Sequence, residues 1–339
     1  MKKVFTVLVT SIAVSMATNV FAKDNILKIA GTTQLNTPHS QTMVAFKNNL
    51  EKLSNGKIQV QSSFGGAMGN DTQLLQKAQI GSQLQAAQTS GANLGTVVGA
   101  FKAFDVPFLI NGPKQSIELF YPNGKLSGEI VDNLQEFLGK KNLHLLYSMP
   151  FEFRGILSND KEVRTAKDVK GMKFRVTPNP VERGIVESWG AGGTTMGISE
   201  VYTSLQTGIV DALAIPPVTA QAFGLNEVAK TFNNLNFQAH PTFVVINKKY
   251  WDKLSSDDQA LIEQAADQAV METAQIHYDA LETSFKAFED EGATVIQPTP
   301  AEIDTFKATA INAAIPLASK GLSDKEVKFI ELIKNSASK

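Results

Sequence analysis

From residue 26 onward, short apolar runs alternate with longer stretches in which apolar residues recur every three or four positions. Ile26-Leu27-Lys28-Ile29-Ala30 reads as a strand. Thr37-Pro38 then supplies a cap and a first-turn proline for a helix carrying Met43, Val44, Phe46, Leu50 and Leu53 on one face. Asn55-Gly56 closes that helix, and Lys57-Ile58-Gln59-Val60-Gln61 alternates as a second strand. Such a β-α-β start predicts a parallel sheet. After the Gly65-Gly66 turn, Asn70-Asp71 caps a helix with Leu74, Leu75 and Ala78 inward and Gly81 at its end.

A second region of the same kind begins near Met149. Arg154-Gly155-Ile156-Leu157-Ser158-Asn159 precedes a polar, helix-like stretch to Lys170. Gly171 and the strand Met172-Lys173-Phe174-Arg175-Val176 follow, and Thr177-Pro178 ends that strand. Alternation puts Arg175 on the face opposite Phe174. Ser199 is placed as the cap of a short helix through Leu205 that ends at Gly208, before a strand from Ile209 to Ile215 stopped by Pro216-Pro217. Thr242 to Asn247 is a further buried strand. Between Ser255 and Glu291 there is neither Gly nor Pro, and apolar residues keep helical spacing from Leu261 to Phe288. This is one long helix or two, long enough to cross between structural units.

The division agrees with the length, since 339 residues suit two domains. With 43% hydrophobic and 19% charged residues, the composition is that of a folded globular chain. A net charge of -1 gives no overall attraction to nucleic acid or to an anionic membrane. The cysteine count of 0 excludes disulfides, thiolate metal sites and cysteine nucleophiles. Residues 1–22 read as a signal peptide: Lys2-Lys3, an apolar run from Val4 to Ala17, and Val20-Phe21-Ala22 as the cleavage site, cut after Ala22. Thr18-Asn19 stops the run short of a membrane-spanning length. Export out of the cytoplasm is the expectation.

The four histidines, His39, His144, His240 and His277, show no metal-ligand spacing, so neither a metal nor a cofactor is expected. No Gly-x-Ser-x-Gly turn supports hydrolysis. Gly190-Ala191-Gly192-Gly193 lacks the spacing of a dinucleotide loop and reads as a turn. Arg154 and Arg175 stand beside strand ends, where open α/β sheets bind ligands, and a guanidinium there can grip a carboxylate through two parallel hydrogen bonds. By position alone each also reads as a surface charge or a structural ion pair.

The ordered blocks Ser54-Asn55-Gly56-Lys57-Ile58, Met68-Gly69-Asn70-Asp71, Phe104-Asp105-Val106-Pro107-Phe108-Leu109, Gly171 to Val176, and Ser199-Glu200-Val201-Tyr202-Thr203-Ser204-Leu205-Gln206-Thr207-Gly208-Ile209-Val210-Asp211 carry a more specific signal. With Asn247-Lys248-Lys249-Tyr250-Trp251-Asp252-Lys253-Leu254-Ser255 they resemble the DctP-type substrate-binding proteins of tripartite ATP-independent periplasmic (TRAP) transporters. The resemblance runs along nearly all of the chain after residue 22. It implies an α/β, two-lobed clamshell with a mixed sheet and flanking helices in each lobe and a long helix spanning both. It also implies delivery of a small organic acid to small and large membrane subunits, by a monomer without catalysis.

On this resemblance the ligand carboxylate pairs with Arg175, and Arg154 is a second anion contact. Thr89, Ser90 and Asn179 are further candidate contacts. Where relatives place an asparagine after the short helix this chain has Ile215, and where some place an aromatic residue it has Ile198. Both departures make the pocket more apolar, which favours a monocarboxylate with a short apolar tail over a sugar acid, with a sulfonate as another anion the fork accepts. The expected lobes are 23–150 plus 242–280 and 151–241 plus 281–339. The competing readings are a secreted α/β enzyme using Glu152 or Glu200 as base, and a ligand-sensing module.

Overall fold

The computed structural model describes residues 25–110 and 112–337; the signal-peptide reading of residues 1–22 lies outside them. Four strands open the fold: β1 (Asn25–Ala30), β2 (Ile58–Ser63), β3 (Ala86–Ser90) and β4 (Leu143–Ser148). The β1 strand pairs in parallel with β2 and β3. Between β1 and β2 runs the Pro38–Leu53 helix, whose first turn is closed by Thr37 Oγ1 accepting from Ser40 N at 3.2 Å. Its Met43, Phe46 and Leu50 are buried against the sheet, as the helical spacing requires. The helix Asp71–Ile80 begins with a reciprocal cap between Asn70 and Gln73 and ends at Gly81, at φ +76°.

Past Met149 the chain builds a second sheet from β5 (Glu152–Ser158), β6 (Lys173–Val176), β7 (Gly192–Thr195), β8 (Ala212–Ile215) and β9 (Thr231–His240). It then returns through Pro241 as β10 (Thr242–Asn247), antiparallel to β3 and β4. The last strand, β11 (Thr294–Ile296), joins the edge of β9. The result is two separate mixed sheets, ordered β2-β1-β3-β10-β4 and β11-β9-β5-β8-β6-β7.

The two lobes are bridged by a single helix, Ser256–Asp290. Its first half packs along the Pro38–Leu53 helix beside the first sheet, and its second half reaches the Pro217–Ala222 helix and β11. At the junction the buried side is polar: Thr42 Oγ1 lies 2.8 Å from Thr273 Oγ1 and 3.0 Å from His277 Nε2. Further along, Phe288 packs on Phe232 of β9, anchoring the helix to the second sheet.

Local readings of the sequence differ from the structure at three places. Residues 161–171 are turns rather than a helix, because the Asp168 carboxylate accepts from the backbone N–H groups of Arg164 and Thr165 and offers the backbone an alternative to helical pairing. Ser199 is not the helix cap; it lies inside the 3-10 turn Ile198–Glu200, capped from Gly197, ahead of the Val201–Gln206 helix. The C-terminal region is also split. The Pro300–Ser319 helix packs on Pro180–Ser188 of the second lobe. The last helix, Asp324–Ala337, instead seats Phe329 on Phe104 and Phe137, and Ala337 O accepts from Gln115 Nε2. Assigning all of residues 281–339 to the second lobe therefore fails for this helix: its apolar face fits a hollow on the first lobe.

Candidate ligand-binding site

A cleft of about 550 Å³ opens between the two lobes. The β1–helix and β2–helix loops and the end of β3 supply one wall, through Thr32, Asp71, Gln88, Thr89 and Ser90. The opposite wall comes from the ends of β5, β6 and β8, through Arg154, Arg175, Ile215 and their neighbours Met196, Ile198 and Phe223. The first wall needs backbone that side chains cannot adopt. Gly65 and Gly66 turn at φ +62° and +71°, and a Cβ on Gly31 would stand 2.4 Å from Gln88 Oε1.

Arg175 points away from buried Phe174 and into this cleft, and is itself only 5% exposed. Its Nε donates to Met196 O at 3.1 Å, which fixes the plane of the guanidinium. Among the described residues, its two Nη nitrogens have no hydrogen-bond partner. Burial pushes its pKa down to about 10, helped by the Arg154 charge and opposed by Glu182, so the group stays cationic at neutral pH. A cationic fork with both Nη groups unpaired among the described residues has the geometry to hold a planar anion.

Arg154 is different, although it lines the same cleft. At 2% exposure its Nη1 donates to Ala214 O at 2.7 Å and lies 3.5 Å from Glu182 Oε1, and its Nη2 is 2.9 Å from His240 Nδ1. Among the described residues, only its Nε lacks a partner. Glu182 also accepts from Thr177 N and Thr177 Oγ1, so it ties Arg154 to the loop that follows β6. The second arginine is thus committed to the protein.

Thr89 lines the cleft with a hydroxyl that has no hydrogen-bond partner among the described residues. Ser90 lines it too, while its Oγ accepts from Asn93 N and Nδ2. Ile215 is 2% exposed; it packs in the apolar cluster with Val201, Leu205 and Leu213 and also forms part of the cleft wall. Ile198 is half-buried on the same cluster and lines the cleft. Asn179 is not a cleft residue. Its Oδ1 accepts from Val181 N at the start of the Pro180–Ser188 helix, and its Nδ2 donates to Asp105 Oδ2 at 2.6 Å. Glu152, offered as a catalytic base, lies outside the cleft lining and accepts from Thr219 Oγ1, while Glu200 is exposed at the rim.

Sequence reasoning missed most of the first wall. Asp71, read only as part of a helix start, is half-buried there and accepts from Thr32 Oγ1 at 3.2 Å; desolvation raises its pKa. Gln88, His39 and His240 also line the cleft. The short run Ala86-Ala87-Gln88-Thr89-Ser90 has no alternation to mark it as a strand, so Thr89 and Ser90 are named as contacts without their strand being seen, and Gln88 is not named.

Residues 29–315 match the family model described as bacterial extracellular solute-binding protein, family 7 (DctP). The chain belongs to this family. As a family 7 solute-binding protein it is similar to the ectoine-binding periplasmic protein TeaA of Halomonas elongata, at 29% identity over 273 residues, covering 78% of this chain and 76% of TeaA. It is also similar to the C4-dicarboxylate-binding periplasmic protein DctP of Rhodobacter capsulatus, at 26% identity over 306 residues and 89% of each chain. The fold is shared with solved structures, among them these two. The sugar acid binding protein DctPAm of Advenella mimigardefordensis, in complex with galactonate, matches with a TM-score of 0.85 at 24% identity over 93% of this chain and 98% of its own. A TRAP periplasmic solute binding protein of Desulfovibrio salexigens with bound orotic acid matches with a TM-score of 0.87 at 20% identity over 93% and 99%.

Proposed function

We propose that this receptor captures a small organic acid with its carboxylate seated on Arg175 and its body between a polar first-lobe wall and an apolar second-lobe edge. The observation that carries this reading is the Arg175 guanidinium, buried and cationic with both Nη groups open to the cleft. A desolvated cation without a partner is costly, and an anion placed there recovers that cost.

The preference for a short apolar acid over a sugar acid, expected from Ile198 and Ile215, does not carry over. Those residues form one edge, whereas Thr32, Asp71, Gln88 and Thr89 face the ligand from the other side and offer hydrogen bonds to hydroxyl groups. The acids named for relatives include a C4-dicarboxylate and galactonate, and the ectoine receptor is among them. We infer a ligand with one carboxylate at Arg175 and polar groups along the first wall, a sugar acid being the leading class. The fork also accepts a sulfonate.

In this reading residues 1–22 direct export to the periplasm and are cleaved after Ala22, the protein acts without catalysis, and it delivers its ligand to TRAP membrane subunits. The lobes close about the two chain crossings at 149–151 and Pro241. A thermal-shift panel of galactonate, glucuronate, ectoine, succinate, lactate and a sulfonate tests it. A ligand at a hundred times its dissociation constant stabilises the folded state by about 2.7 kcal/mol, a rise of roughly 5 °C or more. Recovery of the acid unchanged after denaturation supports a receptor, and recovery of a converted product supports the enzyme.

A further inference from the structure

We propose that His240 determines specificity: Arg154 holds its ring in the neutral Nε2–H tautomer, so that it presents a fixed N–H donor to the cleft and selects an acid bearing a further oxygen acceptor. Hydroxy, oxo and dicarboxylic acids carry such an acceptor, and plain alkanoates do not. This inference rests on the acid reading of Arg175.

Arg154 Nη2 lies 2.9 Å from His240 Nδ1. A guanidinium nitrogen can only donate, so Nδ1 must be the bare acceptor of the ring. The one proton of neutral imidazole is then on Nε2. That nitrogen has no hydrogen-bond partner among the described residues, and it is not sealed off, because His240 lines the cleft and Nε2 is not among the buried unpaired atoms. Arg154 cannot swing away to release the ring, since Ala214 O and Glu182 hold its Nη1. The chain Glu182–Arg154–His240 therefore runs from beneath the second sheet to a single N–H in the ligand space.

The charges around the ring act in the same direction. Burial holds the pKa of His240 well below the ordinary histidine range, and Arg154, His39 and Arg175 all oppose a positive charge there. Glu152, opposite His240 in the β5–β9 register, is not among the charges that act on the ring. A neutral donor held in place is satisfied by an oxygen acceptor and repels an ammonium group in the same position. Arg154 is a positioning residue in this scheme, acting on the ligand through His240.

Long-range proton–nitrogen correlation spectra of the full protein, labelled with nitrogen-15 at histidine, read the tautomer directly. The His240 signals are identified by their loss in His240→Phe. The expected result is a neutral ring protonated at Nε2 from pH 5 to pH 8. A ring protonated at Nδ1, or one that becomes charged near pH 6.5, overturns the proposal. In Arg154→Met the ring should populate both tautomers; an unchanged single tautomer overturns the positioning role. Should that variant fail to fold, the wild-type spectrum alone decides.

Lactate and propionate, which differ by one hydroxyl group, probe selection in the same sample. Lactate is expected to shift the Nε2–H signal and to bind about three to ten times more tightly, the value of one neutral hydrogen bond, with the difference lost in His240→Phe. If both acids shift signals near Arg175 with equal affinity, the donor role is wrong and the acid reading stands. If neither acid shifts any cleft signal, while Arg175→Ala also leaves the thermal-shift panel unchanged, the acid reading itself is wrong.

Discussion

Asn179 donates its side-chain amide to Asp105, Nδ2 to Oδ2 at 2.6 Å, with both residues buried. The bond ties the start of the Pro180–Ser188 helix, beside the second sheet, to the 3-10 turn Gly99–Asp105 that precedes β4. Gln238 of β9 adds a second tie, its Nε2 donating to Asp105 O at 2.7 Å. A residue expected to touch ligand thus joins the two lobes instead.

Asp105 gives this link a pH dependence. Burial raises its carboxyl pKa to about 7, against the opposing effect of the Arg154 charge, so the folded chain holds a proton that the unfolded chain releases above about pH 4. The stability contributed by this group is full below about pH 4 and is lost as pH rises towards 7. Asp105→Asn keeps an oxygen acceptor for Asn179 and removes the titration. It should melt above the wild type at pH 8, by on the order of 2–4 kcal/mol, with the gap closing as pH falls towards 5. A gap that stays constant in thermal denaturation contradicts this.

Gly155 lies between Arg154 and Ile156, where the pairing of β5 with β9 shifts register. A Cβ there would meet Asn233 O at 2.3 Å and the Phe232 ring at 2.7 Å. Gly155→Ala should cost about 1–3 kcal/mol by overpacking, read from the urea midpoint at unchanged slope. An unchanged midpoint would show that β9 yields freely at this point.

Features set by neighbouring residues were legible in the sequence. The caps at Thr37 and Asn70, the left-handed Gly81 and the placement of Arg175 opposite Phe174 all follow from a few adjacent side chains. Features set by distant partners were not. Strands β3 and β9 carry polar residues buried by contacts elsewhere in the fold, such as Asn233 donating to Val163 O, so their patterns lack a clean period. The amphipathic face of the last helix announces burial but not that Phe104 and Phe137 receive it. At the site, Arg175 is singled out by the resemblance rather than by its position, whereas Thr32, Asp71 and Gln88 of the polar wall stand on loops and a strand end with no pattern of their own.

The two isoleucines separate packing from recognition. Ile215→Val should lower stability by about 1 kcal/mol, because that side chain is core as well as wall. Ile198→Asn, at a half-buried position, should leave the denaturation midpoint within about 1 kcal/mol and shift preference towards the acid with one more distal hydroxyl by up to about tenfold. Competition between paired acids checks it; an unaltered preference places Ile198 away from the ligand.

The central claim is that the Arg175 fork receives the carboxylate, and calorimetric titration of the best-stabilising acid from the panel into wild type, Arg175→Lys and Arg175→Ala tests it most directly. Removing one partner of a desolvated charge pair costs roughly 2–5 kcal/mol, so Arg175→Ala should raise the dissociation constant by about thirty-fold or more. Arg175→Lys should recover only part of the loss, since a point charge cannot reproduce the planar fork. Equal affinity in all three proteins, each with a native melting transition, would contradict the account.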